Sequence, residues 1–390
     1  MTIVFLGFTS SYTDGMAYQD NILCELCQKL GHRVIYLSNP EKFKNGQTIY
    51  VGPEDCILEN GIRLIRLPYH NYGFNVLTKK IRGFDGVYEM LEKLSPDVIF
   101  CHGTQYMPVL DVVKYKKNHP EVKVYADTHA SAANSGRNWL SLNVLHRIYY
   151  KYLLKKILPY LEKFFYIGYE EKKFAVQNYK VPQEKMEFFP LGGTYFENEV
   201  YFQKRDQYRK IVGIKDDELL LLHTGKFDKL KRTKELVRAF SKVRDLKAKL
   251  ILIGSFEEHL YEEIEPLLEK DNRVSFIGWK SAEELLGYLC ACDLYCQPGS
   301  VSATMQNAIC CRCPILVYPH ESYKKDFDFN NMIWIKSEED MRLAFEGIRD
   351  GAYDLSELSD YANNVGRDVL DYSILIKKFL VDPFDKCESI

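Results

Sequence analysis

The chain holds 390 residues, 46% of them hydrophobic, enough for two ordinary cores of roughly 150 to 200 residues each. Its 52 basic and 54 acidic side chains leave a formal charge of -2, so no global basic field argues for a nucleic-acid partner. The 11 cysteines sit in apolar contexts such as Cys24, Cys101 and Cys296, a usage that fits a reducing compartment better than a disulfide scaffold.

Thr2 to Phe8 reads as a first strand, because it is too short for the apolar stretch of a signal peptide and has no basic stretch before it. No apolar run reaches the roughly 18 residues that a membrane span needs, so a cytoplasmic protein is expected. The turn from Gly7 to Asn21 is rich in Gly, Ser and Thr, and its amides can face a ligand at a helix start. It is not a dinucleotide fingerprint. The G-x-G-x-x-G spacing is missing, and no acidic residue ends the second strand, Val34 to Leu37, which disfavours a nicotinamide dehydrogenase. Cys24 and Cys27 form a C-x-x-C within the helix LCELCQKL, where both face the core and redox chemistry is not expected.

Further strands are expected near 64–67, 97–101, 122–126, 164–167 and 186–189, alternating with helices as in one Rossmann-like domain. His102 and His129 fall at the carboxyl ends of two of them, where open α/β sheets place ligands. A histidine there also serves as a structural hydrogen-bonder. Residues 144–163 interleave aromatics with Arg147, Lys151, Lys155 and Lys156, and Lys79, Lys80 and Arg82 form a second basic cluster upstream. Such a helix can lie on an anionic membrane surface, and the same spacing describes a helix packed on a sheet.

The polar run from Tyr195 to Val212 reads as an interdomain connector. Beyond it, the apolar strand Leu219 to Leu222 leads into HTGKFDKLKRTKELV, with Gly225 for a tight turn and Lys226 and Lys231 across it. Two ammonium groups beside fresh helix amides make a receptor for a diphosphate, although a solvated basic loop has the same composition. Strands near 250–253, 272–277 and 294–296, each followed by a helical pattern, continue a parallel α/β sheet. Cys290, Cys292, Cys296, Cys310, Cys311 and Cys313 lack paired C-x2-C spacing, so buried thiols are expected and no metal site.

The text GKF…K…L..AF at 225–240, KLILIGS at 249–255, RVSFIGW at 273–279, EELLGYLCACDLYCQPGS at 283–300 and NAICCRCPILVY at 307–318 resembles the donor-binding half of the family-4 retaining glycosyltransferases. TIVFLGF, LGHRVIYLS, PDVIFCHG and VYADTHAS carry a looser likeness in the N-terminal half. The resemblance implies an α/β protein of GT-B architecture, two Rossmann-like domains facing a cleft. It places an acceptor-binding domain at 1–200, a donor-binding domain at 201–369, and a last helix near 370–390 that crosses back to the first.

By the same resemblance, the first turn touches donor phosphates or acceptor, with Gly15 at the start of a Gly-Gly pair whose second member is here Met16. His129 matches the histidine that approaches the transferred sugar or acceptor, with Asp127 beside it and His102 as second choice. Gly225, Lys226, Lys231, Gly278, Ser300, Ser302, Thr304 and Asn307 become donor-binding residues. The likeness weakens at QPGSVSATMQNA. Relatives carry two glutamates there, one for the sugar and one for the ribose; the loop here is about three residues short, and Asn307 stands in the second place with Gln306 beside it. No protein nucleophile is lost by this, because a phosphate oxygen takes the acceptor proton in the family's usual account.

The expected activity is metal-independent, retaining transfer from a nucleotide-diphosphate sugar, a co-substrate with no further cofactor, to a glycan or lipid-linked glycan acceptor. A catalytically silent subunit that binds a sugar nucleotide or partner enzyme stays open because the glutamates are missing. A sugar-nucleotide epimerase fits the phosphate site but lacks the acidic residues its chemistry needs.

Overall fold

A computed structural model describes residues 1–16, 18–44, 47–73 and 75–380. It divides into two compact units, Met1–Pro190 with the segment from Ile376 onward, and Leu191–Leu375.

In the first unit the strands run across the sheet in the order Met186–Phe188, Lys163–Tyr166, Lys123–Thr128, Val98–Cys101, Thr2–Gly7, Arg33–Ser38, Arg63–Arg66 and Glu54–Ile57. All neighbours pair in parallel except the last two. The central strands are apolar on both faces, as Val98, Ile99, Phe100 and Cys101 illustrate, because helices cover both sides of a parallel sheet. The edge strand Glu54–Ile57 and the hairpin of Glu41–Lys44 with Gln47–Tyr50 were not expected from the sequence. They are short, polar and largely exposed, so no run of buried residues announces them.

The second unit has Val274–Phe276, Ala248–Phe256, Leu219–Phe227, Leu294–Gln297, Ile315–Val317 and Met332–Trp334 in sheet order, all parallel. Leu219–Phe227 is longer than its apolar part, since its register with Ala248–Phe256 continues past His223 to Phe227. The cysteines of this unit are buried, and burial raises the thiols of Cys296, Cys310, Cys311 and Cys313 well above their ordinary range. Cys24 and Cys27 are likewise buried on the helix Gln19–Lys29, the Cys27 thiol pushed up to about 12.

Three expectations change. The run read as a connector is the helix Asn198–Val212 of the second unit. Its Tyr208 ring lies against Gly287, where a Cβ would come within 2.1 Å, and Arg205 and Arg209 both reach the carboxylate of Asp293, which also accepts from the Leu220 amide at 2.7 Å. Its low apolar content, with Tyr201 as the one fully buried residue, disguises it. The division of the chain therefore falls after Pro190 rather than near 200.

Residues 141–157 form one continuous helix, π-helical over Ser141–Tyr150 and α-helical over Lys151–Ile157, and Pro159 stops it well short of 163. At the C-terminal end, Phe379 packs within 5.0 Å of the Phe100 ring and edge-on to Phe5, and the Lys378 amine donates to the Phe188 carbonyl at 2.6 Å. Residues 381–390 lie outside the described residues.

Candidate functional site

Strand ends build a polar constellation in the first unit. Val98–Cys101 delivers His102, and Lys123–Thr128 delivers Asp127 with His129 just beyond. The fully buried Asp127 carboxylate accepts from His102 Nδ1 at 2.9 Å, from His129 Nε2 at 3.2 Å and from the Gly103 amide at 2.6 Å. The two imidazoles stand 4.4 Å apart. Gly103 is required here: its φ is +79°, and a Cβ would sit 2.7 Å from the Thr9 side chain.

Burial opposes the charge of His102, but the Asp127 carboxylate, helped by Asp20, outweighs it and raises the imidazole to about 9. Burial also opposes the charge of Asp127, and the two histidines overcome that penalty to hold it far below the ordinary carboxylate range. The constellation is thus a His102 imidazolium and a carboxylate that also bonds the His129 ring. Its three ligand-bearing atoms lie within 4.8 Å of one another, yet two of them are spent as N–H donors to the third residue, so a metal ion there would have to displace both protons.

Sequence reasoning missed Glu171 and Arg137. Burial raises the Glu171 carboxyl, which has the Ser131 hydroxyl and the His129 ring nearby. Arg137 lies in the small-residue loop that follows His129, and both line one cavity of about 500 Å³ together with His102. The expected turn residue Gly15 adopts φ +74°, with its amide on the Asp14 carboxylate at 3.1 Å; among the described residues, its two chain neighbours aside, none comes within 4 Å of where its Cβ would stand.

In the second unit the strand continues through Gly225 and Lys226, so the turn begins at Asp228, whose carboxylate accepts from the Lys231 amide at 3.0 Å. The two lysines differ. Lys226 is exposed at the carboxyl end of the strand, whereas Lys231 is buried, and burial lowers its ammonium although Asp228 partly restores it. The Lys231 side chain lies along Gly225, where a Cβ would be 3.4 Å from its Cε, and among the described residues its amine reaches only the Val301 carbonyl at 3.4 Å. A desolvated ammonium with donors to spare is the local preparation for an anion.

Gly299 lets the next loop approach: a Cβ would fall 1.9 Å from the Leu230 carbonyl oxygen, which accepts from the Ser300 amide at 2.9 Å. The backbone of the expected donor-binding residues Ser300, Ser302 and Thr304 is already engaged. The Ser302 amide donates to the Tyr323 hydroxyl at 3.0 Å and the Thr304 amide to the Ser302 hydroxyl at 3.3 Å. Ser300, Ser302 and Thr304 can therefore meet a ligand through hydroxyls, not these amides.

Asn307 and Gln306 have local duties as well. Gln306 accepts from the Gly192 amide at 2.7 Å and Asn307 from the Thr194 amide at 3.1 Å, holding the loop at the start of the unit. Gly278, with φ +73°, offers its carbonyl to the Gly254 amide at 3.0 Å. The structure thus groups Gly225, Lys231 and the 299–304 loop in one unit, and His102, Asp127 and His129 in the other.

Residues 204–349 match the family model described as "Glycosyl transferases group 1". That match lies wholly within the second unit. The N-acetyl-alpha-D-glucosaminyl L-malate synthase of Bacillus anthracis is 32% identical over 128 residues, so the matched part spans 32% of this chain and about a third, 33%, of that curated relative.

Solved structures agree over nearly the whole length. HepE of Anabaena in complex with UDP superposes with a TM-score of 0.66 at 11% identity, covering 97% of this chain and 98% of that one. A glycosyltransferase of Rickettsia africae gives 0.65 at 13%, covering 97% and 96%. WaaG, a glycosyltransferase involved in lipopolysaccharide biosynthesis, gives 0.60 at 15%, covering 97% and 100%. The fold is GT-B, with two Rossmann-like domains.

Proposed function

We propose that the protein is a retaining glycosyltransferase that moves a sugar from a nucleotide-diphosphate donor to a glycan or lipid-linked glycan acceptor in cell-surface polysaccharide synthesis. The observation that carries this reading is the buried, under-partnered Lys231 amine beside Gly225, at the carboxyl end of a central strand in the unit that matches the group 1 family model. The solved structures of HepE with UDP and with UDP-glucose support a nucleotide sugar as its ligand.

In the proposed reaction the acceptor oxygen bonds to the anomeric carbon, the bond from that carbon to the diphosphate breaks, and a phosphate oxygen on the same face takes the acceptor proton. Lys226 and Lys231 neutralise the departing diphosphate in place of a metal. His129, held through Nε2 by Asp127, keeps Nδ1 for a hydrogen bond with a hydroxyl of the sugar or acceptor, and His102 fixes the carboxylate that holds it.

The placement we propose is cytoplasmic and peripheral on the inner face of the membrane. No helix among the described residues is long and apolar enough to cross a membrane. The helix from 141 to 157 instead carries an exposed apolar stripe every fourth residue, Leu140, Val144, Ile148 and Tyr152, with Trp139 at its start 73% exposed. The exposed Lys155 and Lys156 follow it. That pattern suits the headgroup region of an anionic bilayer.

A silent, nucleotide-binding subunit is the second reading. It is favoured by the commitment of Gln306 and Asn307 to the backbone in the place where relatives carry a glutamate. Incubation with a panel of nucleotide sugars and an acceptor extract, with EDTA present and donor loss followed by mass spectrometry, separates the two. Transfer of one sugar supports the enzyme; tight binding without transfer or hydrolysis supports the silent subunit.

A further inference from the structure

The cavity of about 500 Å³ in the first unit is lined by Lys79, Lys80, Arg82 and Arg137 around His102 and His129, and no Asp or Glu is among its lining residues. The charge accounting can be followed group by group. Lys79 is paired with Glu41 at 3.0 Å, and Asp127, beneath the cavity, is taken by the two histidines and the Gly103 amide. Among the described residues, Lys80, Arg82 and Arg137 have no carboxylate within ion-pair distance. Arg82 spends one guanidinium N–H on the Gln105 carbonyl at 3.3 Å and Arg137 one on the Ala133 carbonyl at 3.0 Å, which leaves each with donors directed elsewhere.

Two further observations show that the cation is built in. Arg82 holds φ +53°, a left-handed conformation costly for a residue with a side chain, and the Met107 amide donates to its carbonyl at 3.1 Å. On the cavity wall, His146 is pushed down to about 4, by burial first and then by the Arg82 charge, so it sits as a neutral ring bonded to the Tyr179 hydroxyl at 2.7 Å. Three unmatched cations in a concave surface of a chain whose net charge is -2 repel one another until an anion enters. Guanidinium forks match the two oxygens of a phosphate or carboxylate.

We propose that this cavity is an anion subsite of the acceptor: the acceptor carries a phosphate or carboxylate that Arg82, Lys80 and Arg137 hold, placing its hydroxyl beside His129. The inference rests on the glycosyltransferase reading and names the class of acceptor. Hydroxyl and amide groups from Ser10, Gln105 and Asn134 line the same space and suit the uncharged remainder of such a molecule.

The test is calorimetry on the full chain with the donor site first saturated by UDP, so that the lysine loop does not compete for anions. The probes are a polyprenyl monophosphate in neutral detergent, inorganic phosphate, malate, and the uncharged polyprenol and glucose as controls. The expected result is salt-sensitive binding of at least one anionic probe and none of its neutral counterpart, weakened about tenfold by Arg82→Gln and by the double substitution Lys80→Gln with Arg137→Gln. Binding of the polyprenyl phosphate alone identifies a lipid-carried anion, and binding of phosphate or malate identifies a soluble one.

Lys80 and Arg137 are exposed, so the double variant keeps the fold and carries the test even where Arg82→Gln unfolds. No preference for anionic probes, or unchanged affinity in the folded variants, overturns the proposal. Failure of the wild-type protein to bind UDP, GDP or ADP at the outset is a different result, which overturns the glycosyltransferase reading instead.

Discussion

Asp127→Asn isolates the charge of the buried constellation, because the amide keeps the shape of the side chain and retains an oxygen for the Gly103 amide while removing the anion. Wild-type His102 holds its proton to about 9 against 6.5 for a free imidazole. At 1.36 kcal/mol for each pH unit between those values, the charged pair contributes about 3 kcal/mol to folding below pH 6.5. Breaking a buried ion pair by removing one partner costs roughly 3 to 5 kcal/mol, in the same range.

The sign follows from the direction of the shift: a raised imidazole stabilises fully below its unfolded value and loses that contribution as pH rises through 9. For a domain of this size about 3 kcal/mol corresponds to a fall in melting temperature of roughly 6 to 12 °C. Differential scanning calorimetry of wild type and variant at pH 6 and pH 9.5 should show that deficit at pH 6 and a clearly smaller one at pH 9.5. An equal deficit at both values would refute a charged His102–Asp127 pair.

Lys226→Ala and Lys231→Ala should each weaken nucleoside-diphosphate binding by about 1.5 to 3 kcal/mol, since each deletes a charge-assisted contact; unchanged affinity for UDP, GDP and ADP in both folded variants speaks against the lysine site. Asp293→Asn should cost the second unit about 3 kcal/mol, because Arg205, Arg209 and the Leu220 amide all depend on that carboxylate, and an unaltered denaturant midpoint would show the network to be dispensable. Ile148→Glu should lower flotation with anionic vesicles at low salt while leaving stability nearly unchanged, its side chain being 65% exposed; undiminished flotation places the membrane contact elsewhere.

What the sequence made legible follows burial. Strands such as Val98–Cys101 and Leu250 to Ile253 are continuous apolar runs because helices cover both sheet faces, and such runs can be read directly. Asn198–Val212 could not be read that way. It attaches through Arg205 and Arg209 on a partner 80 or so residues away, and a helix held by charge has no apolar stripe to reveal it. The short hairpin of Glu41–Lys44 fails for the same reason.

The candidate site was legible as positions but not as states. Strand ends singled out His102 and His129, and the lysine spacing singled out Lys226 and Lys231. Nothing in the spacing told that Lys231 is buried and Lys226 exposed, that the amides of Ser302 and Thr304 are already taken, or that Arg137 shares a cavity with His129. Each of these depends on which long-range partner reaches a group first.

The same competition bears on the missing glutamates. A carboxylate at position 307 would face the Thr194 amide, now satisfied by the Asn307 oxygen, and its neighbour Gln306 already holds Gly192. Two neutral amides here fix the Gly192–Thr194 loop without adding a charge to a unit whose proposed diphosphate receptor depends on the Lys231 cation, which Asp228 already offsets in part. A negative charge would strengthen a ribose contact, and it would also weaken the field that Lys231 presents to a phosphate. On the proposed function, absence of the glutamate shifts the work of donor binding from the ribose to the diphosphate, so substitution of Lys231 is expected to weaken donor binding more than substitution of Asn307.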